Sequence, residues 1–260
     1  MKKKDNSVFR GDRVVLNNST PWATYQAHIH RYIFASRYLS KDMIILDAGS
    51  GSGYGSNYLA DYCKYIIGLD ISRDAIDYST KKFNKKNLNF VSGDITDMPF
   101  ENNTFDIIIS FMTIEHINKH DNFLSECNRI LKDKGTFICC TDNKNFSSPY
   151  SAKPYNPNHT KEFYPEEFHV LLSKYFENIK FYGQTNHSLC IRKLRYWKNK
   201  FVFLFPIFKP LNVYIINYLA RNRIREEDIT LAILNKKFEV NKFEKRKYKR
   251  IMIAVCKKRK

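Results

Sequence analysis

Between residues 43 and 182, short apolar runs alternate with longer segments of helical periodicity. Residues 43–48, 65–70, 88–91, 105–110, 135–141 and 178–182 read as strands; residues 55–62, 72–82, 122–131 and 165–175 read as helices. Several strands are apolar at consecutive positions, as in Ile107-Ile108-Ile109. A strand with one wet face alternates polar and apolar residues, whereas one covered on both faces does not. The pattern therefore predicts an α/β protein with a doubly wound, mostly parallel sheet. A helix over 21–39 precedes the first strand, and 251–256 provides a last one. In such sheets ligands sit beyond the carboxyl ends of the strands, near the point where strand order reverses.

The first strand runs into Asp47-Ala48-Gly49-Ser50-Gly51-Ser52-Gly53. Glycine allows a sharp turn and a close approach of backbone to ligand, and the helix that follows offers free N–H groups. A dinucleotide fingerprint would need a further glycine where Tyr54 stands, so this spacing suits another ligand. The second strand ends in Asp70-Ile71, an acid placed to accept from ribose hydroxyls. Asp94-Ile95 follows the third strand, and the fourth ends at Ser110.

Taken together, Asp47-x-Gly49-x-Gly51-x-Gly53, Asp70, Gly93-Asp94 through Pro99-Phe100, and Phe105-Asp106 through Ser110 resemble the successive motifs of class I S-adenosylmethionine-dependent methyltransferases, in order and spacing. The resemblance implies a Rossmann-like methyltransferase fold with S-adenosylmethionine as cofactor. It implies that Gly49, Gly51 and Gly53 line the methionine portion, that Asp70 holds the ribose, and that Asp94 and Ile95 face the adenine. The candidate cofactor set is Asp47, Gly49, Ser50, Gly51, Gly53, Asp70, Ile71, Asp94, Ile95 and Ser110, with His30 and Arg31 toward the amino-acid end. Ala27 to Tyr32, Ile114-Glu115-His116-Ile117, Asn156-Pro157-Asn158-His159-x-x-Glu162-Phe163 and a turn at Tyr182-Gly183-Gln184 are similar to a small-molecule subgroup found among enzymes of glycan synthesis.

A hydroxyl acceptor would need a base, and histidine titrates near neutrality. His116, just past the fourth strand, is the first candidate for base or acceptor-orienting residue; His159 is the second, and Glu115 can pair with a polar acceptor or with His116. Thr141-Asp142-Asn143 is similar to a metal-dependent methyltransferase pattern, but that pattern also wants a carboxylate where Ser110-Phe111 stands, so no metal is expected. The acceptor expected is a sugar or glycan hydroxyl, free or lipid-linked. Alternatives are a lipid or quinone precursor methylated at a membrane surface, and a cofactor-binding module without catalysis.

Charge is placed unevenly. Residues 1–191 hold 23 basic and 21 acidic residues, whereas 192–260 hold 21 and 5. Residues 192–225 carry nine basic residues and no acidic one around two apolar runs, each too short to span a bilayer. This reads as a basic helical insert suited to an anionic membrane surface, a lid or a homodimer face. The strand-four end lacks the residues of base-amine methylation, so nucleic acid is not expected as partner, although the basic tail leaves RNA binding open to a salt-dependent gel shift. Six cysteines without metal spacing read as reduced core thiols, and residues 1–20 lack the apolar core of a signal peptide; both suggest a cytoplasmic protein, peripheral at the inner face of the membrane if the insert binds there. The division expected is a flexible arm at 1–20, a core at 21–191, the insert at 192–225, and a return with last strand and basic tail at 226–260.

Overall fold

A computed structural model describes residues 22–149, 151–184, 240–242 and 251–259. The arm at 1–20, the insert at 192–225, Cys190 and most of the returning segment lie outside the described residues.

Five strands form a parallel array: β1 (Ile44–Ala48), β2 (Tyr65–Asp70), β3 (Leu88–Ser92), β4 (Phe105–Phe111) and β5 (Leu131–Asp142). Three more, β6 (Phe176–Gln184), β7 (Val240–Lys242) and β8 (Ile251–Lys258), extend it with antiparallel pairings. The order is β3-β2-β1-β4-β5-β8-β6-β7. The chain leaves β1 toward β2 and β3, then crosses back to β4, so strand order reverses beside β1. Asp47 pairs in register with Gly68 on one side and Ile109 on the other, which puts it at the middle of this switch.

The helices are α1 (Trp22–Ser36), α2 (Tyr54–Leu59), α3 (Arg73–Lys82), α4 (His120–Ile130), the single turn α5 (Lys144–Ser147) and α6 (Pro165–Ser173). They cover both faces of the sheet, and each strand divides its side chains between two cores. Leu46, Ile108, Phe137 and Met252 pack with Phe123 and Leu124 of α4 and with Phe168 and Leu172 of α6. Ile45, Ile107, Ile109, Ile138 and Ile253 pack with Tyr32, Phe34 and Ala35 of α1 and Leu59 of α2. Cys139 falls in the first core and Cys140 in the second. Cys63, Cys127, Cys139, Cys140 and Cys256 are buried free thiols, as the sequence suggested.

Three differences from the sequence expectation have local causes. The expected helix at 55–62 is α2 followed by a 3-10 turn at Ala60–Tyr62. β5 begins at Leu131 rather than at Gly135; Leu131 pairs with Phe105, the ladder then shifts register, and Lys134 takes a positive φ of 62°. Lys132-Asp133-Lys134 are polar and half-buried or exposed, so no apolar signal marks them as strand. Tyr182-Gly183-Gln184 is not a turn: all three residues extend β6 and pair with both β7 and β8. Among the described residues, no helix is long and apolar enough to cross a membrane.

Candidate functional site

The glycine turn after β1 is locked to the end of β2. The backbone N–H groups of Gly49 and Ser50 both donate to the Leu69 carbonyl, at 2.8 and 2.9 Å. The Gly51 N–H donates to Asp70 Oδ2 and the Ser72 N–H to Asp70 Oδ1, each at 2.9 Å. Asp70 is thereby buried and oriented by two backbone donors. Ser72 also caps α3, accepting from the Ala75 N–H at 3.4 Å. Gly93 N–H donates to the Asp70 carbonyl at 3.1 Å, which brings the loop after β3 to the same place.

Two glycines in this turn do different jobs. Gly49 has φ +84°, and a Cβ there would lie 2.4 Å from Thr113 Oγ1, so it lets the turn press against the segment after β4. Gly51 has φ +55°, and a Cβ there would meet nothing within 4 Å. Its left-handed backbone therefore borders open space at the carboxyl end of the sheet. Beside it Ile71 is 66% exposed, a large apolar side chain directly after the ribose-holding candidate. An exposed apolar side chain next to a carboxylate and a bare glycine backbone fits an adenosine-bearing ligand.

The other cofactor candidates divide. Asp94 is exposed and its Oδ1 accepts from the Thr96 N–H at 2.8 Å, as in an Asx-type turn, while Ile95 is buried in the core. Ser50 is buried on the turn, and Gly53 closes it with φ +73°. Ser110 donates to the Ala48 carbonyl at 2.8 Å, stapling β4 to the end of β1. His30 and Arg31 are buried on α1, and Arg31 Nε donates to Gln184 Oε1 at 3.0 Å. Gln184 in turn donates to the Ala27 carbonyl at 2.9 Å, tying α1 to β6.

Asp47 is fully buried and accepts from Ser56 Oγ at 2.6 Å. Burial pushes its pKa up to about 7; the Ser56 and Tyr32 hydroxyls pull it down, and Asp70 nearby adds repulsion. The folded pKa thus lies above the unfolded value of about 3.9. A raised carboxylate contributes stability that is complete below the unfolded value and is lost as pH climbs through the folded one. The ligand-free protein should lose on the order of 3 kcal/mol between pH 4 and pH 7 from this group alone. Urea unfolding across that range should show a flatter pH slope for Asp47→Asn; equal slopes in the two proteins would mean that Asp47 is ionised throughout.

The acceptor-side candidates converge. A 3-10 turn at Ile114–His116 follows β4, and residues 158–161 lie against it: Thr160 N–H donates to the Glu115 carbonyl at 2.7 Å and Thr160 Oγ1 to the Ile117 carbonyl at 2.7 Å. The Glu115 side chain is fully buried and accepts from Thr141 Oγ1 at 2.9 Å through Oε2. Burial pushes its pKa up to about 8, with Asp142 adding to the rise and the Thr141 hydroxyl and Arg31 opposing it. The rings of His116 and His159 meet edge to face, 4.9 Å between centroids. His116 Nδ1 lies 3.0 Å from the Asn158 carbonyl and His159 Nδ1 lies 2.9 Å from Glu162 Oε1. One donor atom from each of Glu115, His116 and His159 falls within 4.8 Å of the others.

Sequence reading left Glu162 without a role. It is buried, and although burial raises its pKa, the hydroxyls of Ser147 and Ser148 and the His159 ring outweigh that and hold it below its ordinary value. Its only signal was the His159-x-x-Glu162 spacing. Gln184 stood only in the Tyr182-Gly183-Gln184 stretch of the resemblance, with no role, and Thr113 carried no signal, because their partners are distant in sequence.

Residues 46–139 match a family model described as a methyltransferase domain. A probable S-adenosylmethionine-dependent methyltransferase of Mycolicibacterium smegmatis is 32% identical over 128 residues, covering 49% of this chain and 49% of its own. Residues 46–139 are thus similar to a methyltransferase domain, and the relative matched there is named for S-adenosylmethionine dependence. A fatty-acid O-methyltransferase of the same organism is 33% identical over 96 residues, 36% of this chain and 35% of that one. The chain spans about half the length of the probable S-adenosylmethionine-dependent methyltransferases of Mycolicibacterium smegmatis and Mycobacterium tuberculosis that it matches, 49% and 46%. Among solved structures, a Thermotoga maritima protein described as an S-adenosylmethionine-dependent methyltransferase and possible histamine N-methyltransferase shares the fold, with TM-score 0.59, 16% identity, and coverage of 90% of this chain and 92% of that one. The matched residues run from β1 into β5 and include the glycine turn, Asp70, Asp94, Ser110, Glu115 and His116. His30, Arg31 and His159 lie outside the matched residues, on α1 and in the loop before α6.

Proposed function

We propose that this chain transfers a methyl group from S-adenosylmethionine to a small-molecule hydroxyl, with a sugar or glycan as the acceptor class. The observation that carries this reading is the cluster of Glu115 and His116, on a segment just past β4 that packs through Thr113 against Gly49 of the cofactor turn, with His159, which comes in from the loop before α6. The cofactor supplies a methyl on a sulfonium, which passes in line to a nucleophile. The chain's task is to align that nucleophile, exclude water and handle its proton.

Ile71 would flank the adenosine, Asp70 would hold the ribose, Gly51 would line the methionine portion, and Asp47 and the Arg31 region would meet the charged amino-acid end. The histidine pair and Glu115 would orient the acceptor hydroxyl and help remove its proton. The polar character of this cluster favours a hydroxylated acceptor.

The similarity to a protein named fatty-acid O-methyltransferase favours a second reading, in which the acceptor is a lipid carboxyl or hydroxyl. The apolar, basic segment 192–225 is suited to delivering such an acceptor from an anionic membrane surface, and equally to presenting a lipid-linked glycan. Transfer of labelled methyl from S-adenosylmethionine into fractionated extract, with mass spectrometry of the product, separates the two. A methylated sugar supports the first reading and a methyl ester or methylated lipid the second; no labelled product in any fraction would favour a module that binds the cofactor without transferring from it.

A further inference from the structure

Both histidines of the acceptor-side cluster are fixed in one tautomer by their surroundings. A carbonyl oxygen can only accept, so His116 Nδ1 must carry the hydrogen that meets Asn158, 3.0 Å away. His159 Nδ1 donates in the same way to the Glu162 carboxylate at 2.9 Å. In each ring this leaves Nε2 with its lone pair. The third member, Glu115, uses Oε2 to accept from Thr141 at 2.9 Å, while its buried Oε1 has no hydrogen-bond partner among the described residues.

A possible ligand atom from each of Glu115, His116 and His159 lies within 4.8 Å of the others. Imidazole rings whose second nitrogen is hydrogen-bonded to a carboxylate or backbone carbonyl are the usual arrangement behind a metal-binding histidine, because that bond fixes the ring and raises its basicity. Two imidazoles and one carboxylate form a borderline nitrogen–oxygen donor set with no thiolate, the set that zinc and neighbouring first-row ions take.

We propose that Glu115, His116 and His159 bind one divalent first-row transition-metal ion, zinc by preference, at the acceptor side of the site. Ligands on a tetrahedral ion at about 2.1 Å stand about 3.4 Å apart, so the cluster closes by roughly an ångström on binding. His116, half-buried beside an exposed loop, is the side chain placed to make that movement. Three protein ligands leave a position open, as catalytic ions require. An acceptor hydroxyl entering there releases its proton to solvent more readily, because the ion stabilises the alkoxide; with the ion bound, the two imidazoles and Glu115 serve as its ligands and not as the base. The role as acceptor activator rests on the methyl-transfer reading; ion binding itself does not.

The test uses cobalt(II) as a spectroscopic stand-in for zinc, titrated into the purified full chain at neutral pH. The expected result is one cobalt per chain, with visible d–d absorption of a nitrogen–oxygen site that zinc displaces. His116→Ala and Glu115→Gln should each weaken cobalt binding by at least about tenfold, while both retain wild-type affinity for S-adenosylhomocysteine and so prove folded. No cobalt spectrum in the wild type would overturn the proposal. So would unchanged spectra and affinities in both folded variants, since the ion would then sit elsewhere. Because the readout does not use methyl transfer, loss of cobalt binding with intact S-adenosylhomocysteine binding removes the metal site alone.

Discussion

Gly51→Ala is expected to fold and to bind S-adenosylhomocysteine on the order of 100-fold more weakly than the wild type, about 3 kcal/mol. The two halves of this result have separate causes. Gly51 has φ +55°, which costs an L-residue about 1–2 kcal/mol, but its added Cβ meets nothing within 4 Å of the protein. The loss of stability is therefore modest. The methyl instead projects into the space that the cofactor backbone must approach. The turn cannot swing away to relieve it, because Gly49, Ser50 and Gly51 are held to Leu69 and Asp70 by three hydrogen bonds. Gly49→Ala should behave in the opposite way. Its Cβ would lie 2.4 Å from Thr113 Oγ1, so strain and overpacking should cost about 3 kcal/mol of stability. Thermal melts and calorimetric titrations of the two variants check the contrast. Equal losses of stability in both, or wild-type affinity in Gly51→Ala, would show that the open face of Gly51 is not where the ligand lies.

Asp70→Asn should reduce cofactor affinity by a similar factor despite its near-identical shape. Both carboxylate oxygens of Asp70 accept backbone N–H groups, from Gly51 and from Ser72, each at 2.9 Å. An amide has one oxygen and one NH2 group. Whichever way it is turned, the NH2 faces an N–H, and one backbone donor is left unpaired. That costs about 1–3 kcal/mol in the folded protein. The side chain also loses half of its capacity to accept from ribose hydroxyls and all of its charge. The variant should therefore show both a lowered melting temperature and a weakened S-adenosylhomocysteine titration. Retention of wild-type affinity would mean that Asp70 serves only as a brace for the glycine turn.

Much of the frame was legible before any coordinates, because its signals are local. β2 has the expected bounds, Tyr65–Asp70, since an apolar run stops at a carboxylate followed by the helix-capping Ser72. The switch point followed from the order of strands and helices, and the glycine turn from its own composition. β7 was missed because Val240-Asn241-Lys242 has too few residues to display a period. The start of β5 was missed because only Leu131, paired with Phe105, holds it to the sheet ahead of the polar residues 132–134, and the sequence does not announce that partner. The site shows the same division. Asp70 and Gly51 were readable from their positions at strand ends. The Arg31–Gln184 link and the support of His159 by Glu162, Ser147 and Ser148 were not, because each joins segments that only the folded chain brings together.

The carboxyl ends of β1 and β2 are expected to cradle S-adenosylmethionine. Calorimetric titration of the purified full chain with that compound tests this most directly. Saturable binding of one molecule per chain is the predicted outcome; a titration with no heat above dilution, from protein shown to be folded, would contradict it.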